Sequence, residues 1–308
     1  MSAPGSESPA ARGYAIGVDI GGTFTKLVAV MPDGRVVQRA RTPTDDSPAS
    51  RLPDDVSREV ARIEASMGPA SAVGVACPGL VRRGDDAVYW MKGRLAVLEG
   101  LHWTTALGRP SPVYLVNDAQ AALVGETWMG AGRNCRDVVL LTLGTGVGGA
   151  IMCDGRVLAG HTGRAGHLGH IALRVPGPLD IVNTPGSLED AIGNCTVASR
   201  TGGRFASTEA LVSAHLAGDA SASDAWHTSV MYLAAGIASI VNAVDPARII
   251  LGGGIAAHAG NALLAPLRTR LDEYEWRPSG VGVEIVIAAL GDEAGAIGAA
   301  RHAMEQRT

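Results

Sequence analysis

The stretch Ile16-Gly-Val-Asp-Ile-Gly-Gly-Thr-Phe-Thr-Lys26 decides how the chain is read, together with its echo further along, Leu140-Leu-Thr-Leu-Gly-Thr-Gly-Val-Gly-Gly149. Each is an apolar strand that runs into a turn of glycine and threonine. Such a turn offers backbone N–H groups and hydroxyls with no side chain in the way, which is what a polyphosphate tail requires. Two of them predict two jaws around one nucleotide. A third glycine run, Leu251-Gly-Gly-Gly-Ile255, also leaves an apolar strand and enters a helix. It suits backbone packed against a flat adenine and ribose.

Outward from these turns the pattern is α/β. Strands are predicted over 14–18, 27–30 and 34–41, then a helix over 54–66 and a short buried strand over 72–76 that ends at Cys77-Pro78-Gly79. Another strand, 113–116, leads through Asn117-Asp118 into an Ala-rich helix ending near Trp128, with Asp118 suited to the N-cap. The second half repeats the opening: strand 137–143, glycine turn, strand 150–153, an Asp-Gly turn and strand 156–159. A Gly/His/Pro-rich segment runs from Gly160 to Gly186, and unpatterned stretches of that length are usually functional or disordered. Helices dominate 189–244, followed by strand 248–251, a helix over 261–271, strand 283–288 and a final helix from Glu293.

A chain of 308 residues exceeds the usual single domain, so two lobes are expected. Hydrophobic residues make up 46% but aromatics only 4%, so the interior must be built from Ala, Val, Leu and Ile. A formal charge of -4 with no Lys/Arg cluster argues against nucleic acid as a partner. Residues 1–13 read as a disordered tail rather than a leader, and the apolar stretches are interrupted before the roughly 18 residues a membrane span needs. A soluble, cytoplasmic protein follows. Cys77, Cys135, Cys153 and Cys195 are far apart, which signals neither a disulfide framework nor a thiolate zinc cluster, and they are expected in the core.

With these motifs in order, the chain resembles the ROK family of sugar kinases, within the actin-like and hexokinase-like ATPase superfamily, from about Tyr14 to Ala303. Asp19-Ile-Gly-Gly-Thr23 resembles the family's first phosphate loop, Leu143-Gly-Thr-Gly-Val-Gly-Gly149 its second, and Gly252-Gly-Gly-Ile255 its adenosine motif. Asn117-Asp118-Ala119 followed by Gly125-Glu126 resembles its catalytic segment. The resemblance implies the two-lobed actin-like ATPase fold of ribonuclease H-like repeats. The small lobe would cover 14–118 with a helix over 294–308 packing back on it, and the large lobe 119–293.

It also implies ATP and Mg²⁺, with Asp118 as general base and Asn117 beside it toward the substrate. Phosphoryl transfer needs a carboxylate within hydrogen-bond reach of the attacking hydroxyl, and a helix N-terminus favours its ionised form. Nucleotide contacts fall to Asp19, Gly21, Gly22, Thr23 and Lys26, to Gly144, Thr145, Gly146 and Gly148, and to Gly253 and Gly254. Asp19 is placed to hold Mg²⁺ through water. Gly79, in a turn resembling the family's Val-Pro-Gly, is a sugar contact.

The sugar side departs from the family. The usual Gly-Glu-x-Gly-His becomes Gly166-His167-Leu168-Gly169-His170, so an acceptor-only carboxylate is replaced by a group that can also donate. His170 and Glu189 are expected to keep their grip on the C1/C2 side of the ring, while His167 changes the preference. The family's cysteine-rich zinc segment is matched by Leu179-Asp180-Ile181-Val182-Asn183-Thr184-Pro185-Gly186-Ser187-Leu188-Glu189, without a cysteine. Zinc takes about four N/S ligands at such a site and His170 alone remains, so no structural zinc is expected. Pro176, Pro178 and Pro185 would stiffen the loop instead. The reading is an ATP-dependent kinase for a hexose-like ring, such as a cyclitol or amino sugar, with a glucokinase and a sugar-sensing pseudokinase as alternatives. A homodimer is implied by the resemblance.

Overall fold

The structure, a computed structural model, describes residues 13–47 and 49–307. The tail expected over 1–13 lies outside the described residues except for Gly13. The described residues divide into two compact units: 13–130 with 159–164 and 292–307, and 131–158 with 165–291.

In the first unit, β1 (Ala15–Ile20), β2 (Phe24–Val30) and β3 (Val36–Pro43) form an antiparallel meander. On its other side β1 pairs in parallel with β4 (Ala72–Cys77), and β4 with β7 (Val113–Asn117), giving the order β3-β2-β1-β4-β7. A small hairpin, β5 (Leu80–Val81) with β6 (Val88–Trp90), follows β4. Helices α1 (Leu52–Met67), α2 (Trp103–Ala106), α3 (Asp118–Met129) and α10 (Ala294–Arg307) complete the unit. One face of the sheet buries Ile16, Val18, Leu27, Val73 and Val75 with Leu52, Val56 and Ile63 of α1.

The other face explains four glycines. A Cβ on Gly17 of β1 or Gly74 of β4 would overlap the carbonyl oxygens of Ala296 and Ala299 on α10. A Cβ on Gly125 of α3 or Gly298 of α10 would overlap Ala294 and Ala121 carbonyls in the same way. None of these four has positive φ. They are glycine because α10 lies at backbone contact with both the sheet and α3, a separation that a methyl group would prop open.

The boundary expected at Asp118 falls one helix early: α3 stays with the first unit because its Gly125 face packs on α10. The stretch 159–164 also belongs to that unit, with the Tyr89 hydroxyl donating to the Thr162 carbonyl.

The second unit repeats the first sheet. β8 (Val138–Leu143), β9 (Val147–Cys153) and β10 (Arg156–Val157) form the meander, and β11 (Arg248–Gly252) and β12 (Glu284–Ile287) add in parallel, in the order β10-β9-β8-β11-β12. This is the doubled element read from the sequence. Around it stand α4 (Leu188–Ile192), α5 (Val197–Arg200), α6 (Thr208–Leu216), α7 (Ala220–Val244), α8 (Gly253–Ala259) and α9 (Asn261–Tyr274). By length and composition α7 could cross a membrane, at mean hydropathy 1.3, which the sequence reading had excluded. Half of that apolar window is buried within the unit, where Trp226, Leu233 and Ile237 pack against residues of β8, β11 and α9. Its apolar character is thus that of a core helix.

Candidate active site

In each unit the glycine turn joins the first two strands of the meander. Residues 21–23 link β1 to β2 and residues 144–146 link β8 to β9. Both threonines, Thr23 and Thr145, are exposed. Gly144 has nothing within 4 Å of where a Cβ would stand, and Gly254, in the first turn of α8, is equally open. The other glycines are packed. Gly253 has a φ of 85° and presses on the carbonyl of Leu143, seating the third glycine run against the strand that carries the second turn. Gly148 lies in the β8–β9 ladder opposite Thr142.

In the first unit the chemistry gathers at the carboxyl ends of the parallel strands, where open α/β sheets place ligands. Asp19 pairs in register with Ala76 on one side and Lys26 on the other, and Cys77 pairs with Asn117. Asn117, not Asp118, is the N-cap of α3. Its φ,ψ of -63°,145° are extended, and its Oδ1 accepts from Ala119 N at 3.0 Å and Gln120 N at 3.3 Å. Its Nδ2 donates to the Gly79 carbonyl at 3.2 Å. The side chain expected to touch substrate is therefore committed to fixing the helix start and the Cys77-Pro78-Gly79 turn. Gly79, at φ 95°, would bring a Cβ within 2.7 Å of Val88 Cγ1, so only glycine fits there.

The cap leaves Asp118 as the first helical residue, half-buried, its Oδ1 accepting from Ala119 N at 2.8 Å. Burial and the neighbouring Asp118 push the Asp19 carboxyl up to about 7, against the pull of Lys26. Asp19 also lies over the first turn of α10, where a Cβ on Gly295 would come within 2.6 Å of its Oδ2. Lys26 is only partly available to a nucleotide, since its Nζ donates to the Asp292 carbonyl at 2.9 Å and meets Asp292 Oδ2 at 3.0 Å. Asp19 has a second carboxylate, Asp118, beside it and a single lysine acting on it, which itself is held by Asp292. That donor set fits a divalent cation, which prefers a few carboxylates and keeps its water.

The sequence reading missed a residue over the first turn. Arg94 donates from Nη2 to the Gly22 carbonyl and from Nε to Asp46 Oδ2 at 2.7 Å, and a Cβ on Gly22 would lie 2.7 Å from Arg94 Nη1. No spacing signal marks it, because it reaches the turn from a loop far along the chain.

In the second unit, Glu189 is tied to the second glycine turn. Its Oε2 accepts from Val147 N at 2.9 Å, and a Cβ on Gly146 would overlap that oxygen. The turn is further held by Asn194 N to the Gly144 carbonyl at 3.0 Å and Cys195 N to the Thr145 carbonyl at 2.8 Å. The 166–170 turn shares this wall: a Cβ on Gly169 would overlap the Val147 carbonyl, and one on Gly149 would lie 2.7 Å from the Gly166 carbonyl. The Gly-x-x-Gly spacing of 166–169 is thus set by packing on the start of β9. Half-buried His167 precedes a 3-10 turn over Leu168–His170.

His170 does not stand alone. Its Nδ1 lies 2.8 Å from Oδ2 of Asp180, which is 2% exposed. Asp180 Oδ1 accepts from Val182 N at 2.9 Å and Thr184 N at 2.8 Å. Burial raises its carboxyl, yet the hydrogen bonds from Thr184, His170, Ser187 and Val182 outweigh that and hold it below the usual carboxylate range. The loop expected to rely on prolines is pinned by this aspartate, an acidic residue in the cysteine-free segment. Among the described residues no three His, Cys, Asp or Glu side chains gather as a metal site. All four cysteines are free thiols; of those expected in the core only Cys77 is buried, Cys135 and Cys153 are half-buried and Cys195 is exposed.

Nearly the whole chain is similar to known proteins. The chain is 33% identical to a glucokinase of Halalkalibacterium halodurans, covering 92% of this chain and 93% of the relative. It is 32% identical to an N-acetylmannosamine kinase of Citrobacter koseri, covering 92% and 97%. A ROK family glucokinase from Streptomyces griseus, solved in complex with glucose and AMPPNP, superposes with a TM-score of 0.77 at 29% identity, covering 95% of this chain and all of that one. The family model for ROK proteins matches residues 15–306. The chain belongs to the ROK family.

Proposed function

We propose that the protein is an ATP-dependent kinase that phosphorylates a hydroxyl of a hexose-like ring. The observation that carries this is the start of α3: Asn117 takes the cap, and so leaves the Asp118 carboxylate aimed from a fixed helix terminus beside Asp19. In this role Asp118 accepts the proton of the attacking hydroxyl, and the oxygen then bonds to the γ-phosphorus as the bond to ADP breaks. The first unit supplies the base and the turn of Gly21, Gly22 and Thr23. The second supplies Gly144 and Thr145 for the phosphates, Gly253 and Gly254 for the adenosine, and Glu189 and His170 for the ring. Asp19 would hold Mg²⁺, which neutralises phosphate charge when bound. The glucokinase complexed with glucose and AMPPNP supports a nucleoside triphosphate as donor.

His167, in place of a carboxylate, favours a ring whose C1/C2 side differs from glucose, an amino sugar or a cyclitol. The likeness to an N-acetylmannosamine kinase supports the amino sugar. Glucose itself is the second reading, favoured by the likeness to glucokinases. Coupled detection of ADP release over glucose, mannose, N-acetylmannosamine, glucosamine and inositol separates them. Turnover highest on an amino sugar or cyclitol supports the first reading, and turnover highest on glucose the second. ADP release with none of them contradicts the kinase reading.

A further inference from the structure

A cavity of about 320 Å³ lies within the second unit, and none of the phosphate-turn or sugar-turn residues named above lines it. Its walls carry Arg174 and Arg200, Asp190 and Asp224, Thr228 and Tyr232. Arg200 requires explanation. Its Nη2 donates to the Gly193 carbonyl at 3.2 Å, but its Nε and Nη1 are buried and meet no acceptor among the described residues. Burial pulls its guanidinium down to about 10 against the attraction of Asp190, which neither hydrogen-bonds the buried Nε and Nη1 nor offsets their burial. A buried charge without a partner costs several kcal/mol, which an anion at this position would offset.

The remaining groups narrow the ligand. Inorganic phosphate would fill only part of the volume. Beside the arginines stand two carboxylates, a threonine hydroxyl and a phenol, the kind of donors and acceptors that hold the hydroxyls of a polyol. Burial raises the Asp190 carboxyl against the pull of Arg174 and Arg200. We propose that this cavity is a second ligand site for a phosphorylated polyol, its phosphate on Arg200 and Arg174 and its hydroxyls on Asp190 and Asp224. The ligand class is that of the product in the function proposed above, and the inference rests on that reading for this identification.

The site is wired to the second phosphate turn. Asp190, in the cavity, adjoins Glu189, which holds Val147 N on the turn. Gly193, whose carbonyl takes Arg200, packs against the Thr145 carbonyl, and Asn194 and Cys195 donate to the carbonyls of Gly144 and Thr145. A phosphate that draws Arg200 from Gly193 acts on the segment that fixes the turn.

Calorimetric titration of the full chain, without nucleotide, uses glucose 6-phosphate, with glucose and orthophosphate as separate arms. Two equivalents of glucose 6-phosphate are expected, one of which Arg200→Met weakens by about 10- to 100-fold. Arg174→Gln, an exposed position, weakens the same equivalent by a smaller factor and serves if the first variant does not fold. A single equivalent in the wild type, or two unweakened equivalents in the folded variants, overturns the site. Orthophosphate binding there as tightly as the sugar phosphate overturns the polyol part. Loss of one equivalent in Arg200→Met, with no sugar turned over in the ADP assay, keeps the site and removes its description as product.

Discussion

Replacing Asp19 by Asn should make the protein more stable and less active at once. Burial and Asp118 raise the Asp19 carboxyl from 3.8 to about 7, so in the fold it keeps its proton where the unfolded chain has lost it. The sign follows from linkage. Between pH 4 and 7 the native state binds more protons, so this group's contribution to stability falls as pH rises through that window and stays low above it. At about 1.4 kcal/mol for each pH unit the full displacement is worth roughly 4 kcal/mol, and solvent screening at a partly exposed residue reduces it to about 2 kcal/mol. Asn removes that cost without stranding Lys26, which keeps both its contacts to Asp292. Denaturant titrations at pH 4, 5, 6, 7 and 8 should show Asp19→Asn close to wild type at pH 4, ahead by about 0.8 kcal/mol at pH 5 and by about 2 kcal/mol at pH 8, where the gain in Tm is roughly 4–8 °C. Mg²⁺ with ATP should raise the wild-type Tm and leave the variant's nearly unchanged. A variant less stable than wild type at pH 8, or one with the same pH dependence, would refute the reasoning.

Further outcomes follow from the packing. Gly295→Ala puts a methyl 2.6 Å from Asp19 Oδ2, so it should displace that carboxylate, cost about 1–3 kcal/mol by thermal melting and lower kcat more than it raises the KM for sugar. Asp180→Ala strips the acceptor from His170, Val182 and Thr184 and should cost about 2–4 kcal/mol above pH 5. That difference should shrink as pH falls through the depressed Asp180 value, because wild type then loses the same charge. Elemental analysis of protein purified without chelator should find no stoichiometric zinc, since His170 is engaged by a carboxylate in a segment free of cysteine; one zinc per chain would contradict this.

The doubled strand-turn-strand and the glycine runs were legible because turn chemistry and apolar strands are local signals. β8 ends at Leu143 as the motif predicts, β1 runs two residues past the expected Val18 to Ile20, and Asp118 opens its helix. The cap was misread by one residue, since Asn and Asp are equally good caps and only the extended backbone of Asn117 distinguishes them. Lys26 looked like a phosphate ligand because Asp292, its partner, is remote in sequence. The same remoteness hid Arg94 above Gly22, while Asp180, only 10 residues from His170, was hidden because a loop without periodicity does not show which of its side chains turn inward. Gly17, Gly74 and Gly298 carried no message in the sequence, since their reason is the backbone of a neighbouring element rather than a turn. The boundary between units was misplaced for that reason also: what binds α3 to the first unit is a face of small side chains, which has no strong periodic signature.

The account stands on a carboxylate that takes a proton from the attacking hydroxyl. The direct measurement is the single-turnover rate of phosphoryl transfer by Asp118→Asn, with saturating ATP and the best sugar of the panel. Asn keeps the shape of the side chain and its place after the Asn117 cap, so binding of both substrates should be little changed while the rate falls by about 10²- to 10⁴-fold. Transfer at the wild-type rate by a folded Asp118→Asn protein would contradict the assignment.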